Sequence, residues 1–261
     1  MPIAPPSLTY LNSFLLFATA FIAGGLNAVA GGGSFISFPT LIFTGVSPIA
    51  ANATNNTALW VASLASAGAY RRDLDVDRRT MLILSSVSLV GGLLGSILLL
   101  YTSGDVFKKL IPYLLLLATV VFIFGESFKQ WLQSLNRSDA PKSLPLVYLV
   151  IIQLVVAIYG GFFGAGIGIL MLASLTFFNI RNIHAMNALK TWLGTCINGI
   201  AIIPFLFAGI IAWHQTIIMA IGGALGGYFI ANFARQIPSI IIRRFVSIVA
   251  ISMTTYFFIH G

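Results

Sequence analysis

Long apolar runs follow one another along the chain, and short polar stretches separate them. The runs cover about 9–29, 49–69, 80–101 and 107–125 in the first half, and about 145–164, 185–206, 215–233 and 244–260 in the second. Most have close to the roughly 20 residues that an α-helix needs to cross a hydrocarbon core of about 30 Å. The pattern therefore predicts an all-α, polytopic integral membrane protein.

Two shorter apolar segments, 34–44 and 168–178, each follow a glycine-rich break. Such a segment has about half the length needed to span, so it suits a half-helix or the return limb of a re-entrant hairpin. With these segments, each half of the chain contains about five helical elements.

Composition narrows the class further. The chain is 58% hydrophobic and only 8% charged, whereas soluble domains carry about a quarter charged residues. The net charge of +8 comes from basic residues in short loops, which indicates membrane topology and no nucleic-acid partner. The expected partners are the lipid bilayer and a small anion; the oligomeric state stays open, a homodimer included.

The second half repeats the first at an offset of 135 residues (187 − 52). Glycine and alanine positions match in this register: Gly25, Ala30, Gly31 and Gly33 fall on Gly160, Ala165, Gly166 and Gly168. Asn52 likewise falls on Asn187. We predict one transport domain over 1–261, with repeats at 9–125 and 145–260 and a cytoplasmic linker at 126–144.

An odd number of passes per repeat turns the second copy upside down. Of the 14 lysines and arginines, eleven fall on the side of the loop with Arg71 and Arg72, two fall opposite, and Lys190 lies within a helix. By the positive-inside rule this predicts inverted repeats in a prokaryotic cytoplasmic membrane, with both termini exterior.

The glycine breaks are the first candidate site. They comprise Gly31, Gly32 and Gly33 followed by Ser34, and Gly164, Gly166 and Gly168. A helix that restarts after a break directs free N–H groups and its positive dipole end into the membrane, which suits an anion. The alternative is that these glycines only allow close helix packing.

A polar cluster opens the helix after each break. It contains Asn52, Thr54, Asn55, Asn56 and Thr57 in the first copy, and Asn187, Lys190, Thr191 and Thr195 in the second. These side chains must face protein or a cavity, because lipid exposure costs too much. Thr54 and Thr57 could instead serve as helix caps or interhelical hydrogen bonds, whereas Asn52 and Asn187, which share a repeat position, are predicted site or gate residues. Asn27, one turn before the first break, is a weaker candidate that could merely cap or bridge helices.

Lys190 is the one charged residue predicted inside a helix. It could snorkel to the interface, but its position favours contact with backbone carbonyls or an anionic ligand. All six acidic residues lie in loops or at their edges, so a cation site is disfavoured. No spacing suits a metal or indicates a cofactor, and no apolar helix supplies catalytic groups, so we predict no enzyme.

Several motifs resemble one known family. They are LNAVAGGGSFISFPTLIFTGVSPIAANATNNTALW at 26–60 followed by YRRDL, GAGIGILMLASLTF at 164–177, and IHAMNALKTWL at 183–193. Over essentially its full length the chain resembles the TauE/SafE sulfite exporter family, also called the toluene sulfonate uptake permease family. The second copy departs from the family pattern in reading GAGIG and in lacking a counterpart of Pro39.

The resemblance implies a secondary carrier for sulfite, sulfoacetate, another organosulfonate or a small carboxylate. We predict alternating access around a site between the two glycine breaks; a passive anion channel of the same architecture is the alternative. Direction and coupling are left open.

Overall fold

The computed structural model describes residues 10–29, 32–70, 74, 76–135, 146–175, 183–234 and 239–260. Within these ranges the chain forms helices and no strand, so the predicted all-α class is confirmed. The helices are α1 Tyr10–Val29, α2 Ser34–Phe43, α3 Pro48–Tyr70, α4 Arg78–Tyr101, α5 Gly104–Leu135, α6 Leu146–Phe162, α7 Ile167–Leu175, α8 Ile183–Phe207, α9 Trp213–Ala234 and α10 Ser239–His260.

Length and composition make this a multi-pass membrane protein. In the described part, four helices carry segments long and apolar enough to cross a membrane: Tyr10–Asn27, Arg78–Tyr101, Gly104–Gly125 and Ala185–Phe207. Large apolar side chains such as Leu98, Val155 and Ile248 are exposed on the outside of the helices. Lipid tails can cover such a surface, while the helices satisfy their own backbone groups.

The two short elements appear where the glycine breaks predicted them. α2 has 10 residues and α7 has 9, so each covers only part of the membrane thickness. α5 differs from its prediction, because it continues to Leu135, ten residues past the expected end at 125. Residues 126–135 contain no Gly or Pro and several good helix formers, so the helix continues into the predicted linker.

Close helix pairs hold the bundle together. α1 packs along α9, and α4 packs along α6. At the first seam a Cβ built on Gly222 would lie 2.6 Å from the Phe17 carbonyl oxygen, and one on Gly226 would meet the Phe21 carbonyl. Small residues permit such backbone approach, and dispersion between the helices then stabilises the pair.

The contacts also give the relative directions of helices. At the α1 and α9 seam, Phe17 meets Gly222 and Phe21 meets Gly226, so the two helices run parallel. In contrast, Tyr113 of α5 packs against Phe258 of α10 at a ring-centroid distance of 5.3 Å, and Thr119, further along α5, contacts Thr254, which precedes Phe258. α5 and α10 therefore run antiparallel.

Two hydrogen bonds join residues separated by the repeat offset of 135. Trp60 Nε1 donates to the Thr195 carbonyl at 3.1 Å, and the hydroxyls of Thr119 and Thr254 lie 2.9 Å apart. Contacts between equivalent positions arise where a two-fold axis passes between two copies. The inverted repeat stays a prediction, and antiparallel α5 and α10 are what it requires.

Candidate functional site

A cavity of about 90 Å³, lined by polar, apolar and glycine residues, lies between the starts of α2 and α7 and the facing sides of α3 and α8. It is lined by Gly24, Asn27, Gly32, Ser34, Asn55, Asn56, Leu59, Ala62, Ser63, Ser66, Phe163, Gly164, Gly166, Ile167, Gly168, Lys190, Thr191, Gly194 and Asn198. Both glycine breaks and both polar clusters therefore contribute to one space.

The breaks depend on glycine for their backbone shape. Gly32 has φ 92°, Gly164 has φ 79° and Gly166 has φ 72°. Side chains disfavour this left-handed region, and glycine enters it without that cost. The chain can therefore leave α1 or α6 and restart as a half-helix at the cavity. Gly31, which was predicted to belong to the first break, lies outside the described residues.

At the first break, side-chain amides tie three helices together. Asn27 Oδ1 accepts the N–H of Gly33 at 2.8 Å, which ties the end of α1 to the residue that precedes α2. Asn55 Nδ2 donates to Ser34 Oγ at 3.2 Å, and Asn55 Oδ1 accepts from Ser37 Oγ at 2.6 Å. The Asn55 amide thus fastens α3 to the first turn of α2 at the cavity wall.

At the second glycine break, the protein supplies fewer hydrogen-bond partners than at the first. Within the described residues the N–H of Gly168 meets no hydrogen-bond acceptor, and it belongs to the first turn of α7. The Lys190 side chain passes over this turn, since a Cβ built on Gly168 would lie 3.6 Å from Lys190 Cδ. A free N–H and a cationic side chain therefore meet at one end of the cavity.

Lys190 is buried without a countercharge. It is only 9% exposed, and it forms no ion pair or hydrogen bond with the side chains and backbone that the structure describes. Its side chain lines the cavity. A buried ammonium group costs free energy unless an anion or polar groups compensate it.

The walls of the cavity come from one face each of α3 and α8. On α3 the lining residues Asn56, Leu59, Ser63 and Ser66 recur at spacings of three and four, as do Thr191, Gly194 and Asn198 on α8. At the repeat offset these faces correspond, because Asn55, Asn56 and Ser63 match Lys190, Thr191 and Asn198. The cavity is therefore neutral on one half and cationic on the other.

The structure brings most of the predicted site residues to the cavity. These are Asn27, Gly32, Ser34, Asn55, Asn56, Gly164, Gly166, Gly168, Lys190 and Thr191. Four others do not line it. Gly33 is buried against the Ala23 backbone, and Thr54 Oγ1 accepts the N–H of Ala212 at 3.0 Å.

The remaining two are the matched asparagines. Asn52 Nδ2 donates to the Phe162 carbonyl at 2.9 Å, so this amide holds α3 to the end of α6. Asn187 is half-buried, and its side chain makes no hydrogen bond within the described part of the chain.

Sequence reasoning missed Ser63, Ser66 and Asn198. Each lies one or more helical turns beyond the predicted clusters, on the same face as Asn56 or Thr191. Extending those faces by the helical period would have found them.

A multi-pass helical bundle with a cavity that carries polar side chains between two broken helices has the construction of a membrane transporter. Comparison with known proteins gives the family: residues 16–257 match the model described as Sulfite exporter TauE/SafE. The chain belongs to this family.

Its relatives carry transporter names. It is 28% identical to a probable membrane transporter protein, ORF9, of Sinorhizobium sp., over 91% of this chain and 89% of the relative. A probable membrane transporter protein of Haemophilus influenzae is 28% identical over 92% of both chains. The probable membrane transporter protein YfcA of Escherichia coli K12 is 25% identical over 92% of this chain and 87% of the relative. No solved structure matches the chain significantly.

Proposed function

We propose that this membrane transporter is a secondary carrier that moves a small anion across the cytoplasmic membrane by alternating access. The observation that carries the proposal is Lys190, whose buried side chain lines the cavity without an acidic partner in the described residues. An anion bound beside it would offset the cost of burying the charge.

Uncharged polar groups near Lys190 also favour an anionic ligand. The free N–H of Gly168 belongs to the first turn of α7, where backbone groups and the helix dipole favour negative charge. Asn198 adds a side-chain amide to the same wall, whereas the Thr191 hydroxyl already donates to the Asn187 carbonyl at 2.8 Å. This set can hold an oxyanion by charge-assisted hydrogen bonds, which are stronger than neutral ones.

The size of the cavity favours a compact substrate. A volume of about 90 Å³ suits an anion of a few heavy atoms better than a bulky one. The proposed substrate is sulfite, sulfoacetate, another organosulfonate or a small carboxylate. We propose this substrate class without assigning a direction of transport.

The proposed architecture is a pair of inverted repeats over 9–125 and 145–260. It is supported by antiparallel α5 and α10 and by the Trp60 to Thr195 and Thr119 to Thr254 contacts. The distribution of basic residues supports an orientation with both termini outside the cell. In such folds one repeat rocks or gates against the other around a central site. Because the two repeats are equivalent, we propose that their conformations are exchanged in the second access state.

Replacement of Lys190 tests the proposal. Lys190→Met should raise the half-saturating concentration for sulfite uptake into proteoliposomes at least tenfold, because a hydrogen bond to a charged group contributes about 1.5–3 kcal/mol. Lys108→Met is the matched control, since Lys108 is exposed at the start of α5 and lies off the cavity lining. Unchanged uptake and saturation in the Lys190 variant would refute the charge assignment.

Counterflow separates a carrier from a channel. Vesicles preloaded with unlabelled sulfite should accumulate labelled sulfite transiently, because a carrier exchanges one bound anion for another. A non-saturating current without counterflow would establish a passive anion channel instead.

A further inference from the structure

We propose that Asn52 and Asn187 are alternating latches of the transport cycle. Asn52 holds the Phe162 carbonyl in the present conformation, and Asn187 holds the Asn27 carbonyl in the conformation that opens to the other side. The inference rests on the proposed alternating access between inverted repeats, and it assigns these two amides to gating, away from anion contact.

The Asn52 bond joins the two halves of the molecule at a break. Asn52 is 2% exposed in the second turn of α3, and its Nδ2 donates to the Phe162 carbonyl at 2.9 Å. Phe162 is the last residue of α6, so its carbonyl has no intrahelical donor. The bond therefore fixes the end of α6 next to Gly164, where the backbone turns toward the cavity.

The repeat offset relates this bond to a second pair of positions. Adding 135 to Asn52 gives Asn187, and subtracting 135 from Phe162 gives Asn27. Asn27 lies near the end of α1, just before the first glycine break. The second copy thus supplies the same amide, and the first copy supplies a carbonyl at the corresponding place.

These equivalent pairs differ in the structure. The Asn52 side chain is buried and bonded, whereas Asn187 is half-buried and its side chain makes no hydrogen bond with any described residue. One latch is closed and the other is open. Such a difference between matching positions is what a transporter in one of its two access states requires.

If the two repeats exchange conformations, the contacts that persist through the change of access state can be predicted. Contacts between equivalent residues, such as Thr119 with Thr254, map onto themselves and stay formed. The Asn52 to Phe162 bond maps onto Asn187 to Asn27, so it must open as the other closes. The two bonds therefore bias the equilibrium between access states in opposite directions.

Leucine variants test the latches, because leucine has a similar size and no donor. Asn52→Leu should shift the ratio of the two access states away from the present conformation by about fivefold, and Asn187→Leu should shift it toward the present one by a similar factor. The double variant should return close to the parent ratio. Asn187→Leu is the sharper test, since it breaks no hydrogen bond in the structure and a merely structural role predicts no change.

The readout is the labelling rate of a cavity cysteine. Ser66→Cys in a Cys196→Ala background is treated with a membrane-impermeant maleimide in vesicles of one orientation. Gln215→Met is the control, because it removes a buried amide that lies off the cavity lining. Opposite shifts that cancel in the double variant support the latches.

Two results overturn the proposal. One is an unchanged labelling rate in Asn187→Leu, and the other is a shift of both single variants in the same direction. Sulfite counterflow in the parent vesicles is measured alongside. If counterflow is present, either result removes the latches alone; if it is absent, the proposed carrier function fails and the latches with it.

Discussion

Two neighbouring glycines at the contact between α1 and α9 should have opposite effects on stability when each is replaced by alanine. Gly222 and Gly223 are consecutive in α9, yet they face different surroundings. A Cβ on Gly222 would lie 2.6 Å from the Phe17 carbonyl oxygen, while a Cβ on Gly223 would find its nearest atoms at 3.6 Å. The first distance requires the two backbones to separate, and the second is ordinary van der Waals contact.

The magnitudes follow from these distances. Overpacking of a tight interface typically destabilises the folded state by about 1–3 kcal/mol. Replacement of glycine by alanine within a helix stabilises it by up to about 1 kcal/mol. Gly222→Ala should therefore lose roughly 1 kcal/mol of stability, whereas Gly223→Ala should be neutral or gain up to about 1 kcal/mol. Gly226→Ala, whose Cβ would meet the Phe21 carbonyl still more closely, should lose more than Gly222→Ala.

Thermal unfolding of the detergent-purified protein checks this order. The midpoint temperature of unfolding should be highest for Gly223→Ala, at or above that of the parent protein. It should be lower for Gly222→Ala and lowest for Gly226→Ala. Equal losses at the two consecutive positions would refute the reasoning, because they would show that general intolerance of alanine, and not backbone approach, decides stability here.

Two further predictions concern the cavity. Gly166→Ala should lower the midpoint of thermal unfolding more than Gly168→Ala, because only Gly166 has a left-handed backbone, with φ 72°; equal effects would argue against strain at the break. Asn198→Leu should raise the half-saturating sulfite concentration severalfold through loss of a polar group on the lining. Asn12→Leu, outside that lining, serves as its control, and an unchanged value for Asn198→Leu would remove this residue from the site.

Local features of the sequence were enough to predict the helices and the breaks. Apolar runs in lipid must satisfy their backbone groups within each segment, so run length alone predicts helices. The glycine clusters marked α2 and α7 correctly, because few other residues tolerate the backbone that precedes them. The end of α5 was predicted too early, since hydropathy measures where lipid ends and not where a helix ends.

The choice of partner for each polar side chain came only from the tertiary structure. Asn52, Asn55 and Asn56 lie within one and a half turns of α3 and look alike in sequence. Asn52 bonds to the end of α6, Asn55 bonds to the start of α2, and Asn56 lines the cavity with its Oδ1 unpaired. A difference of 100° per residue around a helix separates these roles, and what stands at each angle is set by other helices.

For Lys190, too, the sequence and the tertiary structure determined different properties. Its charge, its place in an apolar helix and the lack of an acidic residue in any apolar run were all evident from the sequence, and they favoured an anion. Whether the side chain turned toward lipid, the interface or a ligand depended on where α7 begins relative to α8. The structure places the first turn of α7 under the lysine and the cavity beside it, because the left-handed glycines Gly164 and Gly166 redirect the chain there.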